Sequence, residues 1–242
     1  MTKDNEKRVI LIIPAYNEEK NILKVYESII SFNRIKNTIY DVIVINDGST
    51  DNTGLICENN NIPFINLIDN LGIGGAVQTG YKYALKNKYD IAIQFDGDGQ
   101  HDVNYVENLI QPIIDNQADI VIGSRFIDKN SSEFKSTFLR RVGIKIISFF
   151  VRLFSGKKLL DTTSGFRACN QKIIKMFAKN YPTEYPEPIT NMFLLKNKFK
   201  VKEIPVKMNE RTAGISSIRT WKNFYYMVNV ILSIIIVGIR KE

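Results

Sequence analysis

Residues 91–100 read IAIQFDGDGQ, and this stretch decides the fold. A short apolar run that ends in glycine-rich turn residues is typical of a buried strand followed by a loop. The loop carries Asp96 and Asp98, and ligands of open α/β sheets bind at the carboxyl ends of the strands. Carboxylate oxygens suit Mg²⁺ or Mn²⁺ when phosphates share the ion. The stretch therefore predicts a metal and phosphate site on an α/β sheet, with a solvated acidic turn as the alternative.

The chain on either side alternates strand-like and helix-like segments. Apolar runs predict strands over residues 8–13, 40–45, 63–68, 89–95, 118–122 and 199–206, and amphipathic patterning predicts a helix over residues 70–86. Asn17, with two glutamates after it, predicts the start of a helix there. This alternation predicts a mainly parallel sheet, whose strand ends bring several loops to one edge.

Three further strand-end loops carry polar residues or glycines. Asp47 can accept hydrogen bonds from a base or ribose, or can simply cap a helix. Glu18 can bind a ribose hydroxyl, or can favour the N-terminus of its helix. Residues 72–75 are rich in glycine, as in the motif that binds dinucleotides. They follow the third strand instead of the first, and no suitable acidic residue lies downstream, so a dinucleotide site is not favoured. We expect this segment to form a flexible wall beside a nucleotide-sugar.

Arg125, Arg167 and Arg211 lie near glycine and serine in predicted loops, where guanidinium groups can clamp phosphate oxygens. Each one alone is more often a solvated charge or a structural ion pair. Together they predict two phosphate-handling zones, one for a nucleotide pyrophosphate and one for an acceptor phosphate. His101 is the single histidine of the chain. It can support a metal, contact phosphate or make a surface hydrogen bond, but one histidine cannot build a zinc site.

The charge pattern favours a membrane partner. The net charge is +8, which suits a polyanionic partner. Cations are interleaved with apolar residues at Arg140, Arg141, Lys145, Arg152, Lys157 and Lys158. This pattern predicts contact with an anionic membrane surface and argues against nucleic acid as the partner.

The terminal segment 224–239 is nearly all apolar, and we expect interfacial attachment, with a core helix or a full span as alternatives. The N-terminus lacks the apolar region of a signal peptide. Cys57 and Cys169 are expected to be free thiols, with a disulfide between them as the alternative. We therefore expect the protein on the cytoplasmic side of the cell membrane, either peripheral or held by a single C-terminal anchor.

Taken in order, the motifs resemble glycosyltransferase family 2, and within it the dolichyl-phosphate mannosyltransferase-like, or polyprenyl-phosphate glycosyltransferase, group. The matching residues are Pro14-Ala15-Tyr16-Asn17-Glu18, Asp47-Gly48-Ser49, residues 72–76, residues 96–101, Ser124-Arg125-Phe126, residues 161–167, Arg211-Thr212-Ala213-Gly214 and Ser216-Ser217. Two features depart from the family pattern. First, the chain has at most one membrane span. Second, residues 185–188 (Tyr-Pro-Glu-Pro) resemble a stretch of bacterial relatives that act in surface polysaccharide pathways. In those relatives an acidic residue commonly follows, whereas this chain has Ile189.

The resemblance implies a GT-A fold: a Rossmann-like, mainly parallel sheet with helices on both faces and apolar helices at the C-terminus. With the apolar terminal segment, we expect a GT-A glycosyltransferase domain over residues 1–217, followed by a membrane-associated apolar helix over residues 218–242. The resemblance also implies inverting transfer from a nucleotide-sugar with Mg²⁺ or Mn²⁺. The metal ligands implied are Asp96, Asp98 and Gln100. The substrate-binding residues implied are Pro14, Ala15, Tyr16, Glu18, Asp47, Gly74, Asp96, Gly97, Asp98, Ser164 and Ser217. Arg125, Arg167, Arg211 and Ser217 would handle phosphates.

The expected acceptor is a polyprenyl phosphate, because an ionised phosphate needs cations for positioning and no base. A sugar hydroxyl of a surface glycan is the rival acceptor, and it would need a carboxylate base, which the sequence does not reveal outside the acidic motif. A non-catalytic nucleotide-sugar-binding subunit is a further alternative.

The favoured donor is a UDP-hexose, and GDP-mannose is the alternative donor. A small membrane protein or a second copy of the chain is a possible partner.

Overall fold

The computed structural model describes residues 7–128, 138–209 and 220–239. Its centre is a seven-stranded sheet in the order β3-β2-β1-β4-β6-β5-β7. The strands are β1 Val9–Ala15, β2 Tyr40–Asn46, β3 Phe64–Asn66, β4 Ile91–Gln94, β5 Ile120–Ser124, β6 Arg167–Asn170 and β7 Val201–Pro205. Only β6 runs antiparallel to its neighbours, β4 and β5, among the strand pairs of these residues.

Helices cover both faces of the sheet. They are α1 Ile22–Lys36, α2 Thr53–Asn59, α3 Gly72–Lys86, α4 Val106–Ile114, α5 Phe138–Ser155, α6 Gln171–Lys179, α7 Pro186–Lys196 and α8 Thr220–Ile239, with a 3-10 turn at Val103–Tyr105. The alternation of β1 explains the two layers, since successive side chains of a strand point to opposite faces. Leu11 and Ile13 pack with α1 and α4, whereas Ile10 and Ile12 pack with α3 and α6.

A third apolar cluster joins α5, α7 and α8. Its enclosed members include Ile147 and Val151 of α5, Met192 of α7, and Val230 and Ile234 of α8. The helices α5 and α8 run parallel, because Gly143 lies against Met227 near one end and Gly238 against Phe154 near the other. A Cβ at position 238 would stand 2.7 Å from the Phe154 ring, so only glycine allows this approach. Within the residues given above, no helix combines the length and apolar character that crossing a membrane requires.

The predicted α/β class with a mostly parallel sheet and helices on both faces is confirmed. One strand was missed: β6 begins at Arg167, a residue that the sequence placed in a loop. The predicted helix start at Asn17 is wrong, because α1 begins at Ile22 and Asn17 has a left-handed φ of 57°. The Asn17 side chain instead accepts a hydrogen bond from the Thr50 N–H at 2.9 Å, which joins two strand-end loops.

Candidate active site

The parallel strands β1, β2 and β4 bring their following loops together at one edge of the sheet. The N–H of Asp47, after β2, donates to the Ala15 carbonyl of β1 at 2.8 Å. A Cβ on Gly97, after β4, would lie 3.1 Å from the Pro14 carbonyl oxygen. The predicted site residues Pro14, Ala15, Asp47 and Gly97 therefore do meet at one place.

The acidic loop folds back on itself. The Gln100 N–H donates to Oδ1 of Asp98 at 3.0 Å, and Gly99 takes a φ of 79° that favours glycine. Asp98 is buried, while the Asp96 side chain remains partly accessible. The three predicted metal ligands, Asp96, Asp98 and Gln100, therefore lie on one tight turn.

These oxygen donors fit a divalent cation that also binds phosphates. Mg²⁺ is commonly held by one or two carboxylates together with substrate phosphates. Among the described residues, no three His, Cys, Asp or Glu side chains form a group that could hold a metal ion by themselves. The chain would therefore supply Asp96 and Asp98, and a diphosphate would complete the coordination. That Asp96, Asp98 and Gln100 bind the metal stays a prediction.

His101 is enclosed, which rules out the surface role considered from the sequence. Its ring stacks on Phe166 with centroids 4.5 Å apart, and only 5 % of the residue is exposed. Its Nδ1 atom accepts a hydrogen bond from the Asp96 N–H, and its Nε2 atom lies 3.5 Å from Oδ2 of Asp96. Burial lowers the pKa of His101 to about 3, so the ring is neutral and shapes the acidic loop from behind.

The two predicted nucleoside contacts also have structural partners. Oδ1 of Asp47 accepts a hydrogen bond from the Leu71 N–H at 2.8 Å, which ties β2 to the start of α3. Burial raises the pKa of Asp47, and the Leu71 and Gly72 N–H groups oppose that shift. Oε2 of Glu18 accepts a hydrogen bond from the Asn21 side chain at 2.7 Å. Tyr16 is exposed beside them, so contact with a nucleoside stays a prediction for this loop.

Gly74 has a packing role in α3. A Cβ there would lie 2.1 Å from the Pro182 carbonyl oxygen, and the Gly74 N–H donates to the Thr183 carbonyl. The position therefore lies within a helix against a neighbouring backbone rather than in the flexible wall expected from the sequence.

Arg125 forms a buried ion pair. Its Nε and Nη2 atoms each lie 2.7 Å from an oxygen of Asp161, and Nη2 also donates to Thr163 at 2.9 Å. The guanidinium thus holds the turn at residues 161–163 against the end of β5. Phosphate binding by Arg125 stays a prediction, and it would have to occur beside this pair.

Arg167 is completely enclosed, with 0 % exposure. It donates to the Ser164 carbonyl at 2.7 Å and to the Thr190 hydroxyl at 3.0 Å. The direct contact with phosphate predicted for Arg167 is therefore not available in this structure. Ser164 is likewise buried, with 1 % exposure, so substrate contact by its side chain stays a prediction. Arg211 and Ser217 lie outside the described residues.

Sequence reasoning missed Gln94 and Glu187. The amide nitrogen of Gln94 lies 3.5 Å from Oδ1 of Asp96 and 3.4 Å from Oε1 of Glu187. Burial raises the pKa of Glu187, while the nearby Arg167 opposes the shift. Glu187 is thus a carboxylate near the acidic loop, which the sequence had not revealed. Gln94 could have been noticed in the sequence, because it is a polar residue inside the apolar run that precedes Asp96.

A groove of about 410 Å³ lies beside α5. Its apolar lining includes Phe126, Ile144, Phe149 and Leu159, and its cations are Arg141, Lys145, Arg152 and Lys158. Phe126 and Leu160 of this lining adjoin Arg125 and Asp161, the residues of the buried ion pair. Farther along the same turn, a Cβ on Gly165 would lie 3.2 Å from Oδ2 of Asp96. A single short segment therefore links the groove to the acidic loop.

Comparison with known proteins adds a family and a fold. The profile of Glycosyl transferase family 2 matches residues 10–177. The chain is 36 % identical over 223 residues to UDP-N-acetylglucosamine--dolichyl-phosphate N-acetylglucosaminyltransferase of Methanococcus voltae, covering 84 % of this chain and 86 % of that protein. It is 25 % identical over 224 residues to polyprenol monophosphomannose synthase of Mycolicibacterium smegmatis, covering 87 % and 80 %.

Among solved structures, glucosyl-3-phosphoglycerate synthase from Mycobacterium tuberculosis, in complex with Mn²⁺, UDP and phosphoglyceric acid, matches with a TM-score of 0.67 at 16 % identity. That match covers 98 % of this chain and 80 % of the other. Mannosyl-3-phosphoglycerate synthase from Rubrobacter xylanophilus matches with a TM-score of 0.70 at 13 % identity, covering 95 % and 72 %. These similarities confirm the expected GT-A fold.

Proposed function

This chain belongs to glycosyl transferase family 2 and is a glycosyltransferase, and from that premise we propose that it transfers a sugar from a nucleotide-sugar to a polyprenyl phosphate. We propose a UDP-linked hexose or N-acetylhexosamine as donor, with GDP-mannose as the other option. The names of the relatives from Methanococcus and Mycolicibacterium support a lipid phosphate as the class of acceptor.

The donor would bind at the strand-end loops. Asp96, Asp98 and Gln100 would hold Mg²⁺ or Mn²⁺ on the diphosphate, while Asp47 and the loop of residues 14–18 would contact the nucleoside. The metal would supply neutralisation of the charge that develops on the leaving nucleoside diphosphate. The chain's own part is to orient the two carboxylates. His101 fixes the Asp96 backbone, and the Gln100 N–H donates to Asp98. The Mn²⁺ and UDP bound to the Mycobacterium tuberculosis enzyme support this arrangement.

The groove beside α5 is the observation that carries the acceptor proposal. A polyprenyl phosphate combines an apolar chain with an anionic head, and the groove combines an apolar lining with four cations. Its phosphate is largely ionised near neutral pH, since a second phosphate pKa is about 6. It can therefore attack the donor sugar without a base, with inversion at the sugar carbon.

We further propose that α5 and α8 rest on the cytoplasmic face of a membrane. Neither helix contains an acidic residue, whereas α5 carries Arg141, Lys145 and Arg152. Phe149 and Leu153 of α5 are each 61 % exposed, and Leu232 and Ile236 of α8 are exposed as well. An apolar row flanked by cations suits the interface of an anionic bilayer. On this proposal residues 1–217 carry the chemistry and residues 218–242 contribute to attachment.

A transfer assay tests the proposal. The purified full chain is incubated with Mn²⁺ or Mg²⁺, short-chain polyprenyl phosphate and a panel of radiolabelled nucleotide-sugars, and label in the organic phase is measured. We expect metal-dependent lipid label that Asp98→Asn abolishes. Asp115→Asn, the same change at an exposed position, should leave the label unchanged. Absence of lipid label with every donor would overturn the proposed acceptor.

Glu187 favours a second candidate function, transfer to a sugar hydroxyl. A hydroxyl acceptor requires a base, and a carboxylate whose pKa is raised suits that task. If this candidate holds, an oligosaccharide acceptor would take the label and Glu187→Gln would lower kcat by about 100-fold or more. Under the lipid-phosphate proposal, the rate of transfer does not depend on deprotonation by Glu187.

A further inference from the structure

Gln94 is a polar side chain in the middle of the sheet. It ends β4, pairs with Arg167 on β6 and is only 1 % exposed. An enclosed amide has lost its contacts with water, so it is costly unless protein groups replace them. The Oε1 atom of Gln94 has no hydrogen-bond partner among the described residues, so the partners of its Nε2 atom indicate why glutamine is found at this position.

The partners are two carboxylates from distant parts of the chain. The Gln94 Nε2 atom lies 3.5 Å from Oδ1 of Asp96 and 3.4 Å from Oε1 of Glu187. An amide NH₂ group has two hydrogens, so it can donate to both acceptors. The backbone of Gly165 adjoins the same place, since a Cβ there would lie 2.7 Å from Nε2.

The two oxygens of Asp96 thus face different enclosed residues. Gln94 lies near Oδ1, and the Nε2 atom of His101 lies 3.5 Å from Oδ2. Both residues are buried, and each has a nitrogen that can donate: the amide of Gln94, and the Nε2 atom of His101, whose Nδ1 atom accepts from the Asp96 N–H. Gln94 and His101, which are both enclosed, therefore orient the Asp96 carboxylate.

We infer that Gln94 is a positioning residue that fixes the Asp96 carboxylate for a divalent cation and ties Glu187, at the start of α7, to the same loop. The inference rests on the proposed function, because it takes Asp96 as a metal ligand. Residues that hydrogen-bond a metal ligand commonly contribute a factor of about 10–100 in metal affinity or activity. Gln94 is assigned that role and makes no contact with substrate itself.

Mn²⁺ affinity of the full chain, measured by electron paramagnetic resonance with Mn²⁺ alone and with Mn²⁺ plus UDP, tests the inference without relying on turnover. Gln94→Met keeps the length of the side chain but cannot donate, and we expect about tenfold weaker Mn²⁺ binding. Gln94→Asn keeps the amide but shortens its reach, and we expect a similar loss. If the methionine variant does not fold, the Mn²⁺ affinity of the asparagine variant tests the inference. Gln78→Met removes an amide from α3 and should leave Mn²⁺ binding unchanged.

A structural role alone would lower the Tm of the Gln94 variants without changing the Mn²⁺ affinity of the folded protein, and that result would overturn the inference. Failure of the wild-type chain to bind Mn²⁺, with or without UDP, would instead overturn the proposed metal site and the inference with it.

The contact between Gln94 and Glu187 of α7 is tested separately, by measuring the Tm of single and double variants. The loss of Tm in the double variant Gln94→Met with Glu187→Met should be smaller than the sum of the single losses, because each change breaks the same contact. Additive losses would refute the tie.

Discussion

The Nδ1 atom of His101 accepts a hydrogen bond from the backbone N–H of Asp96 at 2.9 Å. This bond requires an unprotonated Nδ1, and it closes the acidic loop around Asp98. The geometry of the predicted metal ligands therefore depends on a histidine that stays neutral.

Stability is expected to depend on pH through His101. Its pKa is about 3 in the folded protein against about 6.5 when unfolded, so the unfolded chain gains a proton first as the pH falls. The contribution of neutral His101 is complete above pH 6.5 and decreases between about pH 6.5 and 3, by up to about 1.4 kcal/mol per pH unit. Urea unfolding at several pH values measures the slope. His101→Gln should flatten it, and an unchanged slope would contradict the neutral assignment.

The buried ion pair of Arg125 and Asp161 should be far more important for stability than an exposed pair. Asp161→Asn leaves the enclosed guanidinium without its charged partner, and we expect a loss of about 3 kcal/mol in the free energy of unfolding. Glu107→Gln provides the control, because its pair with Lys36 is exposed and should contribute less than about 1 kcal/mol. Equal losses in urea unfolding would refute the prediction.

Membrane contact through α5 predicts a specific defect in vesicle binding. Phe149→Glu with Leu153→Glu places two anions in the exposed apolar row, and co-flotation with vesicles of anionic phospholipid should fall at least about tenfold. Ile35→Glu changes an apolar residue that is 81 % exposed on α1 and should leave flotation unchanged. Added salt should weaken binding of the wild-type protein. Equal flotation of all variants would show that the exposed apolar row of α5 does not contact the membrane.

Both cysteines should be unreactive in the folded protein. Cys57 and Cys169 are free and buried, and burial raises the pKa of Cys57 to about 11 and that of Cys169 to about 12. Since the thiolate is the reactive form, iodoacetamide at pH 8 should label neither in native conditions and both in urea. Rapid labelling of the native protein would show that one of these regions opens readily.

The sequence was sufficient for the elements whose pattern is local. The apolar runs at β1, β2 and β4 and the glycine turn after Phe95 predict strands and a ligand edge without further information. The free cysteines were also predicted, and the structure confirms them. These features depend on residues close to one another in the chain.

The missed features depend on pairing across the chain. The four residues of β6 contain Arg167 and Asn170, and they form a strand because β4 and β5 flank them in the sheet. The same pairing encloses Arg167, which as part of a loop would have been free to meet a phosphate. Glu187 reaches Gln94 only when α7 is in place, so no local pattern could have indicated this contact.

The antiparallel insertion of β6 also constrains the order in which the chain can fold. β5 pairs with β6 and β7 but not with β4, so it cannot join the sheet until residues 167–170 have left the ribosome. Until then the outer edge of β4 is unpaired, and an open apolar edge invites aggregation. Synthesis of α5 comes before that closure, so the nascent chain exposes this amphipathic helix while three of the seven strands are still missing from the sheet.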